Sequence, residues 1–260
     1  MNLFNFALAF RRCRHSSAEV RTPSRPPRRA TPRVEALENI ISLSPGGQTT
    51  QVAVASQANA EVVTYDASNT KGKLVINGVF NVVQYNLAQI DQSAGTSGTG
   101  GSATQLGGVS QTNSAVEIID VSNHKGKVVI KDSANITQIN IAQVDQSVGT
   151  DGTNGSVTQD VDITQCNAAT VAIVGVSSCK GKVVINGSAA IYQYNNADVN
   201  QVAAATGAST SITQLAAIAQ SDGAKVIIDV SNCKGTVVIR GSCNIYQYND
   251  ANVSQVAAAT

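Results

Sequence analysis

One spacing governs this chain. Lys71-Gly72, Lys125-Gly126, Lys180-Gly181 and Lys234-Gly235 follow one another at intervals of 54, 55 and 54 residues. Gln84, Gln138, Gln193 and Gln247 keep those intervals, and Gln51, Gln105, Gln159 and Gln214 recur at 54, 54 and 55. A fixed period of this kind marks a solenoid, a propeller or a related stack, because one repeat buries its apolar face only against the next.

Within each period one stretch stands out: Val82–Gln92, Ile136–Gln146, Ile191–Gln201 and Ile245–Gln255. Read on alternate residues, each gives an aliphatic residue, Gln, Asn, Ala, Ile or Val, then Gln. Successive side chains of a strand point to opposite faces, so the near-constant set is one face. Its amides are Gln84, Asn86, Gln92, Gln138, Asn140, Gln146, Gln193, Asn195, Gln201, Gln247, Asn249 and Gln255. They share their parity with Ile, Ala and Val, which places them inside as a structural ladder. Stacked above one another, amides donate to one neighbour and accept from the other, and so avoid the roughly 1–3 kcal/mol that each unpaired buried polar group costs.

Each repeat divides further into three strand–bend–strand units. The first is Thr-Gln-x5-Gln, as in Thr213–Gln220. The second is two apolar runs around a polar turn, as in Val226–Val230 and Val237–Ile239. The third is the amide-rich stretch. Units of this length suit one coil of a thin β-solenoid better than a four-stranded propeller blade. The expected fold is therefore all-β: a β-solenoid of about twelve coils, roughly 55–60 Å long, with mixed ladders in which amide units alternate with the apolar unit.

Composition agrees and narrows the chemistry. Charged residues make up 13% and aromatic residues 4%, with no Trp, so small, β-branched and amide side chains must fill a narrow interior. Eight of nine arginines lie between Arg11 and Arg33, while residues 50–260 carry 10 basic and 14 acidic residues. That balance gives no nucleic-acid surface. No C-x-x-C pair occurs and His15 and His124 are the two histidines, so no metal site is expected. No nucleophile–His–acid set or phosphate loop is present, and no apolar run reaches membrane-spanning length. The expectation is a non-enzyme without cofactors.

Three sections follow along the chain. Residues 1–33 read as a disordered basic leader, 34–48 as a short amphipathic helix and linker, and 49–260 as the solenoid. The leader, with Val34-Glu35-Ala36-Leu37-Glu38 and Ser42-Leu43-Ser44, resembles the start of planctomycete-type secreted and surface proteins, although the Arg they carry after Leu-Glu is absent. The resemblance implies export to the cell surface or beyond.

The third unit carries a second resemblance. Asn86/Ala88/Gln92, Asn140/Ala142/Gln146, Asn195/Ala197/Gln201 and Asn249/Ala251/Gln255 resemble the second half of the curlin repeat, and Asn244–Asn249 is similar to its first half. The glycine loop between the halves is missing, and the likeness covers four of the twelve units. Curlin subunits are secreted β-solenoids that polymerise into adhesive amyloid fibres. The resemblance therefore implies end-to-end self-association in an extracellular or biofilm matrix. The second reading is a monomeric surface adhesin or glycan-binding solenoid, and the third a polysaccharide-active β-helix.

Candidate surface contacts are two columns. Lys71, Lys125, Lys180 and Lys234 would stand about 14 Å apart across three coils of rise. They read either as solvated turn residues or as a contact for an anionic polymer. Tyr192, Tyr194, Tyr246 and Tyr248 take the outward parity and suit surface or polysaccharide contacts. Asp66, Asp120 and Asp229 also recur, without the acidic set a calcium site needs. Three coils would separate Cys179 from Cys233, too far for a disulfide, while pairings with Cys166 or Cys243 stay open.

Overall fold

In the computed structural model, residues 40–45, 47–176, 180–230 and 234–260 are described. The basic leader, residues 34–39 of the expected helix, Cys179 and Cys233 lie outside these residues.

The described residues form an all-β solenoid, as the period and alternation lead one to expect. Its strands are β1 (Ile40–Pro45), β2 (Gln48–Asp66), β3 (Lys71–Ser97), β4 (Ser102–Asp120), β5 (Lys125–Asp151), β6 (Ser156–Val174), β7 (Lys180–Thr206), β8 (Ser211–Ile228) and β9 (Lys234–Ala259). One parallel sheet has the order β1-β3-β5-β7-β9 and the other β2-β4-β6-β8. Pairing is in register with the repeat: Gln84 with Gln138, Gln138 with Gln193 and Gln193 with Gln247.

That register corrects the expected coil count. Each 54–55-residue repeat is one coil, not three, so the described residues build four coils and a stack of roughly 20 Å. A coil runs out along one sheet, turns, and returns along the other. Gln51 reaches the carbonyl of Ser93 and Gln57 that of Leu87, which places the two strands face to face in opposite directions. The amide-rich stretch lies within one uninterrupted strand rather than around a bend.

Two turns close each coil. At the first, Asp66 accepts from the backbone N–H of Ser68 at 2.9 Å and Asn69 takes φ 58°. Asp120, Ser122 and Asn123 (φ 56°) repeat the arrangement one coil on. Short polar side chains that bond their own backbone and tolerate positive φ are suited to this place. His124 is buried beneath the turn, donating from Nε2 to the Gly72 carbonyl at 3.1 Å with Nδ1 2.7 Å from Thr70 Oγ1. The second turn lies between β3 and β4, with Gly98 and Gly100 at positive φ.

Gly126, Gly181 and Gly235, after the second, third and fourth turn lysines, have a stacking reason. Gly126 has φ +142°, and a Cβ there would collide with the Gly72 carbonyl of the coil below. Gly126→Ala is therefore expected to lower stability by about 2–4 kcal/mol in a denaturant titration, with backbone strain and the clash acting together.

Residues 40–45, expected as part of a helix, are a strand instead. Ile40–Pro45 pairs with Gln92–Ser97 along the edge of β3. The backbone edge of a long parallel strand offers unpaired N–H and C=O groups, and pairing with it outweighs weak helical spacing in a short segment.

The core is the space between the two sheets. Ala88, Ile90, Ala142, Val144, Ala197 and Val199 of the first sheet meet Ala53, Ala55, Val109, Val161 and Ile163 of the second. A further apolar cluster, around Ile119, Val128, Ile130, Val183 and Ile185, fills the corner near the first turn.

Candidate functional site

The amides expected to ladder do so, in unmixed columns. Gln138 Nε2 donates to Gln84 Oε1 at 2.8 Å, and Gln193 Nε2 donates to Gln138 Oε1 at 2.9 Å. Gln247 extends the column to Gln193 at 2.8 Å. A second column joins Gln146 to Gln92, Gln201 to Gln146 and Gln255 to Gln201, at 2.7, 3.0 and 2.7 Å. The other N–H of the inner amides crosses the interior: Gln138 to the Ala168 carbonyl at 2.9 Å, Gln201 to that of Leu215 at 2.9 Å. Gln138, Gln146, Gln193 and Gln201 thus each tie their coil to the one below and their sheet to the one opposite.

Gln51, Gln105, Gln159 and Gln214 form a third column, and Gln57, Gln111, Gln165 and Gln220 a fourth, both on the opposite sheet. Their recurrence is visible in the first unit of each repeat. Asn59, Asn113 and Asn167 were not in the expected set, yet they sit at the centre of the core. Asn86 donates to Asn113 at 3.0 Å and Asn140 at 2.8 Å; Asn113 donates to Asn140 at 2.9 Å and Asn167 at 3.0 Å. Asn195 and Asn249 carry this zigzag spine on. The signal that finds it is a half-period: Gln-x-Asn occurs at 57/59, 84/86, 111/113, 138/140, 165/167, 193/195 and 247/249, with Gln-x-Asp at 220/222. The glutamines donate toward the first coil and the asparagines toward the last, so the two sets of amide dipoles oppose each other.

Three carboxyls interrupt the repeat. Asp222 takes the Asn position in β8, accepting from Asn167 at 3.0 Å and Asn195 at 2.8 Å, while its Oδ2 is buried without a partner. Burial raises its proton affinity. Glu117 is fully buried, with Val63 and Val171 in register on either side. Asp132 is its partner across the core, in the space a Cβ on Gly78 would need. No other group donates to either oxygen of Glu117 or to Oδ1 of Asp132, so the two carboxyls are left to share a proton with each other. Burial first, then the charge of Asp132, pushes the Glu117 carboxyl up to about 8, and burial raises Asp132 as well.

The outward residues of the first sheet form the accessible face. Lys71, Lys125, Lys180 and Lys234 are in direct backbone register, so the column spacing is one coil, about 4.8 Å, rather than the expected 14 Å. Lys71 and Lys125 are exposed. Further along the same strands, Tyr192 pairs with Tyr246 and Tyr194 with Tyr248. The Tyr194 and Tyr248 rings stack at 5.5 Å with planes 3° apart, and Tyr192, Tyr246 and Tyr248 are exposed. Val83 and Tyr85, Thr137 and Ile139 hold the equivalent places in the earlier coils. The ladder residues and the two surface columns are therefore separated, the first between the sheets and the second outside.

Among the described residues no group of three or more His, Cys, Asp or Glu is placed to hold a metal ion, and no helix is long and apolar enough to cross a membrane. Cys243 is an exposed free thiol, and Cys166 lies buried, 3.5 Å from Ser221 Oγ. No protein-family model, curated protein or solved structure matches the chain.

Proposed function

We propose that this chain is a structural protein whose coils stack between molecules as they stack within one, giving curlin-like extracellular fibres for adhesion or matrix. One observation carries the reading: the interface between successive coils is a near-translation of itself. Each glutamine rung meets the same residue 54 or 55 residues away, by the same backbone pairing and the same amide bonds. An interface of that kind makes no distinction between a coil of its own chain and one of another.

Stacking one coil on another buries what a free coil face exposes. Ile245 and Val253 are 42% and 45% exposed, against 1% and 2% for Ile191 and Val199 one coil below. The leader's likeness to secreted proteins favours an extracellular site of action. The role is mechanical and involves no catalysis. The stacked Tyr194–Tyr248 pair, outside the ladders, favours a second reading as a surface adhesin that does not polymerise.

The test uses the full chain at rising concentration, followed by thioflavin fluorescence and electron microscopy. Unbranched fibres that seed fresh protein without a lag are expected. A chain that stays monomeric at high concentration over days removes the fibre reading and leaves the adhesin.

A further inference from the structure

Positive charge after residue 49 is concentrated to an unusual degree. The column of Lys71, Lys125, Lys180 and Lys234 has a second beside it, two residues along the strands: Lys73, Lys127 and Lys182, closed by Thr236. Lys131 and Arg240 lie four and six residues beyond their own coils' first-column or second-column lysines, on the same outward parity. These are nine of the ten basic residues that follow residue 49; the tenth, Lys225, is on the other sheet. The patch spans about 20 Å along the strands and about 14 Å across them.

Such an arrangement opposes stability. Like charges directly opposite on neighbouring strands repel, and a coil spacing of about 4.8 Å brings Lys71 against Lys125 and Lys73 against Lys127. Three carboxylates lie nearby at the same turn of their coils: Asp66 and Asp120 turn into their own loops to accept from Ser68 and Ser122, and Asp229 precedes Lys234. The other outward acids of this sheet, half-buried Asp91, Asp145 and Asp198 and exposed Asp151 and Asp250, all sit in the second half of their strands, away from the lysines. A structural role for the lysines would be served better by alternating signs or by neutral residues. Charge of one sign, held on a rigid lattice, acts instead as an electrostatic site for a partner of the opposite sign.

We propose that this corner of the solenoid binds a linear polyanionic polysaccharide of the polyuronate type, its carboxylates running along the lysine columns. The columns run in register from strand to strand, which suits an extended chain carrying one charge per sugar. A duplex nucleic acid would gain less, because a sheet face sends no element into a groove and touches few phosphates on one side of the cylinder. The site does not depend on assembly of chains, although stacking would lengthen the columns and add avidity.

The experiment measures binding of the full chain to polygalacturonate, with neutral dextran of similar length and duplex DNA as comparators, across a salt series. Polygalacturonate is expected to bind, to weaken steeply with salt, and to outcompete both comparators. Replacing Lys73, Lys127 and Lys182 together by Gln should weaken it about tenfold or more, in line with the loss of three charge contacts. Lys225→Gln should leave it unchanged. Relief of like-charge repulsion means the triple variant should fold at least as well as the parent, which its strand circular dichroism would verify. A second variant, Lys131→Gln with Arg240→Gln, tests the patch independently. Equal retention of dextran, tighter binding of DNA, or an affinity within twofold of the parent in both variants would overturn the proposal.

Discussion

Gln138→Leu is expected to destabilise the chain by about 2–5 kcal/mol, whereas replacing all four glutamines of its column by Leu should cost less than the single change. The single substitution leaves the Gln84 Oε1 without the donor it has at 2.8 Å and the Gln193 Nε2 without the acceptor it has at 2.9 Å. Both groups stay buried, and each then bears its desolvation cost in full. Changing Gln84, Gln138, Gln193 and Gln247 together removes donors and acceptors alike. The carbonyls of Ser114, Ala168 and Gly223 lose a crossing bond but remain in parallel strands that bond to their neighbours. Urea midpoints of the two variants decide the matter. A quadruple variant that loses four times as much as the single one would mean that the ladder bonds contribute independently, not as a chain in which the orphaned ends carry the cost.

The second large effect is in pH. A carboxyl with a raised folded-state pKa holds a proton that the unfolded chain has released, so folding is favoured at low pH and loses that advantage as pH rises. For Glu117 the window runs from the ordinary Glu value, 4.5, to about 8. Asp132, Asp160 and Asp222 are raised by burial and act with the same sign. Exposed Asp66, lowered by its bonds to Ser68, has the opposite sign and a small weight. Stability should therefore fall by on the order of a few kcal/mol between pH 5 and pH 8.5. Glu117→Val places in β4 the residue type found at Val63 and Val171 on either side. It should raise the thermal midpoint at pH 8.5 and flatten most of the decline. A Glu117→Val chain less stable than the parent at pH 8.5 would mean that the buried carboxyl has a partner which sustains its charge.

Much of the core was legible before any coordinates. The parity of Ile191, Gln193, Asn195, Ala197, Val199 and Gln201 defines one face, and all six are buried. Recurrence at one spacing explains why amides are tolerated there. The central asparagines were legible too, through the Gln-x-Asn half-period, but the 54-residue signal is stronger and hides it. The Glu117–Asp132 pair was not: the two residues are on different strands, in different units of the repeat, and only the facing of the sheets brings them together.

The coil count shows where sequence reasoning stops. Alternation has period two whether a strand is short or long, so it does not say where the chain folds over. Gly78, Gly187, Gly223 and Gly241 lie inside long strands, and none has positive φ. Gly78 instead leaves room for Asp132. The turns that fold the chain lie at residues 67–70 and 98–101 and their equivalents. The lysine spacing followed from the same decision: one coil per repeat turns four solvated residues into a dense column.

By itself, then, the sequence determined an all-β stack with buried amide ladders, because periodicity and face parity are local properties that translation along an axis preserves. Tertiary structure alone decided how many strands fill one period, which carboxyls meet across the core, and how closely the lysines approach. Those depend on which distant residues face each other, and a repeat compatible with either one coil or three does not specify that.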